Sequence, residues 1–344
     1  MTAPLPAIGS VLPTPPAHAP VADSVWSAWT SRHRHSAAFR TARAALAALL
    51  QQRDLPRLWL PAYVCDTVAA AGAAGEIAWY PTDERLHVDA GALEADLQAG
   101  DAVLVVDYFG RSPPPAVTAL AERRRDVLWI EDRAQALEPD SAAFGDVLLY
   151  SPRKLFGVAD GGLLVSNEPL PRPSPDREDP ELWAANDARA QDREGAHPGR
   201  WFPAFQGREG AFTIESKPMS GRARAVLEAM ALAPEAATRR SNWRRLAEQL
   251  ADYALWPVTE PAFAPMAFPV LVDHAGATAA AMAGQRVWCA RHWSELPSPC
   301  GAFPEAHRLA ERCLSLPLDG RYGDEDMDRA ADALRRCARP AQPR

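Results

Sequence analysis

The chain has 344 residues, 44 acidic and 37 basic, and a net charge of −7. That balance offers no cationic surface for a nucleic acid, and the arginines are interleaved with acids, as in AERRRD at 121–126, the pattern of a solvated helix end. With 47% apolar and 24% charged residues the composition is that of a soluble globular protein, and its apolar runs are too short or too broken to span a membrane.

The chain opens on a Pro- and Ala-rich stretch without a basic start or a sustained apolar core, so residues 1–25 read as a flexible arm. From residue 37 helical and strand patterns alternate. AAFRTARAALAALLQQ (37–52) reads as a helix, RLWLPAY (57–63) as a strand ended by proline, CDTVAAAGAAG (65–75) as a helix and EIAWYP (76–81) as a strand. AVLVVDYFG (102–110) is a buried strand running into a glycine turn, and PAVTALAERRRD (115–126) is a helix. VLWIED (127–132), DVLLYS (146–151) and GLLVS (162–166) are further strands. Continuous aliphatic strands separated by helices predict an α/β fold with a mainly parallel sheet sandwiched by helices, over residues 26–166. Residues 167–220 turn Pro-rich and charged and read as an irregular connector or flap. Helical patterns at 221–232, 234–253, 304–313 and 324–337, with strand-like runs at 266–272 and 285–290, predict a smaller α+β domain over 221–344. The five cysteines (65, 289, 300, 313 and 337) have no metal or redox spacing, so no metal is expected, and they suit a reducing, cytoplasmic setting.

Only two of the 37 Lys and Arg residues are lysines, Lys154 and Lys217. On a solvated face arginine would serve as well; a primary amine is required only where it must act as a nucleophile, because a guanidinium is not deprotonated in a protein. Lys154 stands three residues after the strand end at Ser151 and shortly before an Asp-Gly-Gly turn. The preceding strands end in Asp132, with Gln135 three residues on, and in Asp107 and Tyr108. Open α/β sheets do their chemistry at these carboxyl ends. A lysine for an imine, a carboxylate for a ring nitrogen and a polar cradle for a phosphate are the needs of pyridoxal 5'-phosphate. Taken singly, the aspartate is more often a cap, the serine a turn residue and the glycine pair a tight turn; their order within 130–165 carries the inference.

IEDRAQAL (130–137) followed by FGDVLLYSPRKLFGVADGGLLV (144–165) resembles the DegT/DnrJ/EryC1/StrS aminotransferases. RTARAAL (40–46), LPAYVCDTV (60–68) and the segments RHWSELP, FPEAHRLAERCLSLPL and GDEDMDRAADAL extend the likeness over roughly residues 35 to 337. The resemblance implies the PLP fold type I. It implies a cytoplasmic homodimer with shared active sites, in which an amino group passes from glutamate to a nucleotide-linked keto sugar for polysaccharide or secondary-metabolite synthesis. It also implies the site residues. Lys154 would hold the cofactor and move the proton. Asp132 would pair with the ring nitrogen, and Gln135 would contact the ring hydroxyl or its face. Ser151, Thr41, Ala42 and Arg43 would bind the phosphate, the last three at a helix N-terminus. His292 and Tyr108 would lie on the substrate side. The family's stacking aromatic falls on Cys65, with Tyr63 as the nearest substitute. Its Y-N-x-R motif, whose asparagine reaches the partner's phosphate, reads TIESKPMS (213–220) here, with Ser216 and Pro218 in place of Asn and Arg and Lys217 as a phosphate or substrate contact. Two alternatives stay open: a PLP enzyme acting on a cyclitol or other small ketone, and a non-catalytic binding protein of the same fold.

Overall fold

A computed structural model of the chain describes residues 5–73, 75–139, 143–177, 179–257 and 260–341. In chain order the elements are β1 (Ile8–Gly9), α1 (Val25–Thr30), β2 (His35–Phe39), α2 (Ala42–Arg53), β3 (Arg57–Pro61), α3 (Asp66–Gly72), β4 (Glu76–Tyr80), α4 (Ala90–Asp96), β5 (Ala102–Val106), α5 (Pro115–Arg123), β6 (Leu128–Asp132), β7 (Val147–Tyr150) and β8 (Gly162–Ser166). They continue with α6 (Ala184–Gln191), α7 (Phe202–Ala211), α8 (Gly221–Ala229), α9 (Leu232–Leu250), β9 (Ala267–Leu271), α10 (Ala275–Ala283), β10 (Val287–Trp288), α11 (Pro304–Arg312), β11 (Cys313–Pro317) and α12 (Asp324–Cys337).

Seven strands form the central sheet in the order β2-β8-β7-β6-β5-β3-β4. From β4 to β7 the pairs are parallel, and β8 runs antiparallel to β7 and β2. Both faces are covered. Val103 and Val105 of β5 pack with Val117 and Leu120 of α5, whereas Ala102 and Leu104 join Leu46 and Leu49 of α2. This is why β5 is apolar at every position: each fully buried Val or Leu contributes about 1.5–3 kcal/mol, and neither face can afford a polar side chain. A smaller layer follows, with β9 antiparallel to β11, β10 parallel to β1, and helices α9 to α12 around them.

Four expectations are corrected. The arm is packed where described: Ile8 and Val11 are buried, β1 pairs with β10, and the Gly9 amide donates to Tyr322 Oη at 2.7 Å. Proline suits an extended segment that docks, and two apolar anchors suffice to hold it. The helix expected from residue 37 begins at Ala42, because His35–Phe39 pairs along β8 and tertiary pairing overrides the propensity of its alanines. The connector contains α6 and α7, and the helical pattern expected to run to residue 313 stops at Arg312, where the strand Cys313–Pro317 begins.

Candidate active site

Three elements converge at the carboxyl edge of the sheet. Thr41 caps α2, its Oγ1 accepting the Ala44 amide at 3.2 Å, so the first amides of the helix face the same side as the ends of β6 and β7. Gly162 permits that approach: a Cβ there would fall 2.2 Å from the Thr41 carbonyl carbon and 2.3 Å from the Ala42 nitrogen. Asp160, just before, accepts the Ser220 amide and hydroxyl at 2.7 Å each and so fixes the start of α8. The Asp-Gly-Gly run is therefore structural, locking β8 to α2 and α8.

A cavity of about 300 Å³ lies at this edge. Thr41, Ala42, Arg43, Cys65, Asp132, Ser151 and Lys154 all line it. Asp132 ends β6, is buried, and accepts the Ala134 amide at 2.9 Å. Burial lifts its carboxyl above the usual range, and the charge of Lys154 opposes the rise. Lys154 ends a 3-10 turn, Pro152–Lys154, and its Nζ lies 5.4 Å from the centre of the Trp293 ring. A second cavity, of about 330 Å³, shares Lys154 with the first and is lined by His292, Ser315 and Arg321. His292 Nδ1 is 2.8 Å from Ser315 Oγ. Burial, then the charge of Lys154, pull the imidazole down to about 3, so it is neutral at physiological pH.

Five expected residues lie off the first cavity. Tyr63 is buried, edge-on to Tyr108, and its hydroxyl donates to the His292 carbonyl. Tyr108 in turn donates to the Tyr63 carbonyl. Both hydroxyls are thus engaged by backbone carbonyls, and neither tyrosine lines the first cavity. Gln135 accepts the Phe109 amide at 2.7 Å and is buried. His292 belongs to the second cavity. Lys217 pairs with Glu215 at 2.8 Å and with Asp176 at 3.7 Å, away from the site.

Sequence reasoning missed other groups. Arg153, Arg208, Glu209 and Asn186 line the first cavity, as do Val11 and Leu12 of the N-terminal segment. Arg153 is adjacent to Lys154 and was within reach of the motif; no spacing marks the others. Glu131 of the motif is also structural. It bonds Arg133 at 2.6 Å and accepts the Phe144 and Gly145 amides at 2.9 and 3.1 Å, and Arg133 also faces Asp107 at 3.3 Å. Among the described residues there is no cluster of His, Cys, Asp or Glu suited to a metal ion and no helix long and apolar enough to cross a membrane.

The residues present fit pyridoxal phosphate: a buried carboxylate, a lysine and a helix N-terminus share one cavity, and Nε of Arg153 and of Arg208 are buried without an acceptor. No family model and no curated protein sequence matches the chain. Solved structures do. Spr1654 of Streptococcus pneumoniae in its PLP form superposes with a TM-score of 0.66 at 14% identity over 98% of each chain. A DegT DnrJ EryC1 StrS aminotransferase of Brucella abortus gives 0.63 at 19% identity over 90% of this chain and 87% of that one. DesI, solved in the presence of its TDP-sugar product, gives 0.65 at 20% identity over 91% and 82%. At these identities the likeness establishes architecture: the chain has the PLP fold type I seen in aminotransferases of the DegT/DnrJ/EryC1/StrS type.

Proposed function

We propose that this chain is a pyridoxal phosphate-dependent aminotransferase that moves the amino group of glutamate onto a keto sugar carried by a nucleotide. The observation that carries the reading is the shared cavity of Lys154, Asp132 and the capped start of α2. Lys154 would hold the cofactor's aldehyde, Asp132 its ring nitrogen, and the α2 amides with Ser151 its phosphate. When bound, the cofactor supplies a protonated ring that draws electrons from the donor's α-carbon.

The chain's own groups do the rest. Asp132 is buried where a cation beside it would hold it ionised. Lys154 Nζ, at the junction of the two cavities, takes a proton from the donor carbon and returns one. Val11, Leu12, Phe156 and Val158 exclude water from the cofactor side. His292, neutral and bonded to Ser315, offers a polar but uncharged group to the acceptor. The donor leaves as its 2-oxo acid, and its nitrogen ends on the former keto carbon. The nucleotide and the shared dimeric site are expectations of the family resemblance, and DesI, solved in the presence of its TDP-sugar product, supports the first.

The test is absorbance of the purified protein with pyridoxal phosphate, before and after glutamate, beside Lys154→Ala. A visible band that bleaches as 2-oxoglutarate accumulates, and that is lost in the variant, is expected. A protein that stays colourless with the cofactor overturns the reading. A panel of nucleotide-linked and free keto sugars and cyclitol ketones, scored by amine formation, then identifies the acceptor.

A further inference from the structure

The cavity holds more positive charge than an uncharged ring requires. Arg43, Arg153, Lys154 and Arg208 line it against two carboxylates, those of Asp132 and Glu209. Arg208 comes from α7, a helix with no buried residue of its own, yet its side chain is only 10% exposed. One terminal nitrogen bonds the Asn186 side chain and, at 3.2 Å, the Leu182 carbonyl. Its Nε is buried with no acceptor, as is Nε of Arg153. Burial, then the like charge of Arg153, pull the Arg208 guanidinium below its ordinary value. Two guanidiniums close enough to feel each other's charge line the same cavity as the N-terminus of a twelve-residue helix, an arrangement that suits a dianion.

We propose that Arg208 is a direct ligand of the cofactor's phosphate, supplied in cis by α7 of the same chain, with Arg153 beside it. The inference rests on the proposed function. It also accounts for the loss of the motif from which a partner's asparagine would be expected: Ser216 and Pro218 stand there, and Lys217 is engaged by Glu215 and Asp176. Glu209 pairs with Arg153 and lies 3.4 Å from Arg208, so an arriving phosphate competes with that carboxylate for both arginines.

The test is titration of the cofactor-free protein with pyridoxal phosphate and with pyridoxal, which lacks the phosphate, followed by visible absorbance. Arg208→Gln should weaken pyridoxal phosphate binding by about tenfold or more and leave pyridoxal binding unchanged, since a charged hydrogen bond is worth about 1.5–3 kcal/mol. Arg208→Lys should recover part of the loss. Equal weakening of both ligands would show that Arg208 only holds α7 in place; unchanged affinity for pyridoxal phosphate would also overturn the proposal. A wild-type protein that binds neither ligand instead sinks the proposed function. Co-expression of Lys154→Ala chains with Arg208→Gln chains distinguishes cis from trans. Cis supply leaves no site of wild-type affinity, and the appearance of such sites would contradict it.

Discussion

Two regions build the same cavity in different ways. The strip from β6 to β8 brings Asp132 at the end of β6, and Ser151 and Lys154 in the turn directly after β7, from strands buried on both faces and paired along both edges. The other wall is made of the N-terminal segment around Val11 and Leu12 and of α6 and α7. It is held mainly by contacts outside any sheet ladder: beside the two-residue β1–β10 pair these include Gly9 to Tyr322, Asn186 to Leu12, Thr14 to Asp187, Arg153 to Glu209 and Arg208 to Leu182 and Asn186. Groups that need fixed geometry stand at or just beyond the ends of the buried strands, while groups that enclose and bind stand on elements outside the sheet. Substitutions in the strip should therefore cost chemistry or global stability, and substitutions in the covering wall should change closure first.

The largest effect belongs to the strip. Asp132→Asn should lower the rate of amino transfer by about a thousandfold, roughly 4 kcal/mol, as loss of one preorganised electrostatic group does. The same change should raise the Tm of the cofactor-free protein, because burial disfavours the charge that the amide lacks. A variant that is slow without that gain in Tm would show that the carboxylate is structural and break the contrast.

Next, Glu131→Gln leaves Arg133 buried with a weakened set of partners and should cost about 3 kcal/mol of unfolding free energy, measured in denaturant. Acid should destabilise the fold through His292. Its folded value lies near 3 and its unfolded value near 6.5, so the unfolded chain binds the extra proton between them and stability falls as pH falls through that window. Between pH 7 and pH 5 the loss is about 2 kcal/mol, and it should be absent from His292→Gln. The smallest effect is in the covering wall. A Cβ at Gly157 would meet the Pro13 carbonyl oxygen at 1.7 Å, so Gly157→Ala should cost about 1 kcal/mol and expose the segment before Pro13 to proteolysis while β6 to β8 stay protected from hydrogen exchange. Equal loss of protection in both would erase the difference between the regions.

The same contrast explains what the sequence made legible. β5, β6, β7 and β8 are apolar runs because each is buried on both faces, and Lys154, Asp132, Ser151 and the 40–43 segment could be placed because sheet topology orders strand ends. Which way a side chain turns beyond a strand end was not legible. Gln135 and Tyr63 sit in the right loops, yet they bond the backbone of Phe109 and of His292. β2 was hidden because its alanines carry helix propensity and its pairing partner is far away in sequence, in β8. β1 and α6 were hidden because their burial depends on a surface formed elsewhere, and α7 because, with no buried residue, it has no apolar face for local periodicity to report. Arg208 lies at no distinctive spacing from Lys154 and becomes visible only in the folded cavity.

The most direct measurement uses the scarcity of lysine. The chain has two, Lys154 and Lys217. Protein incubated with pyridoxal phosphate, reduced with borohydride and mapped by peptide mass should carry the cofactor on the peptide containing Lys154, with none there in Lys154→Ala. Label found on Lys217 or the chain's terminal amine alone, or no label at all, would contradict the assignment of Lys154 as the residue that holds the cofactor.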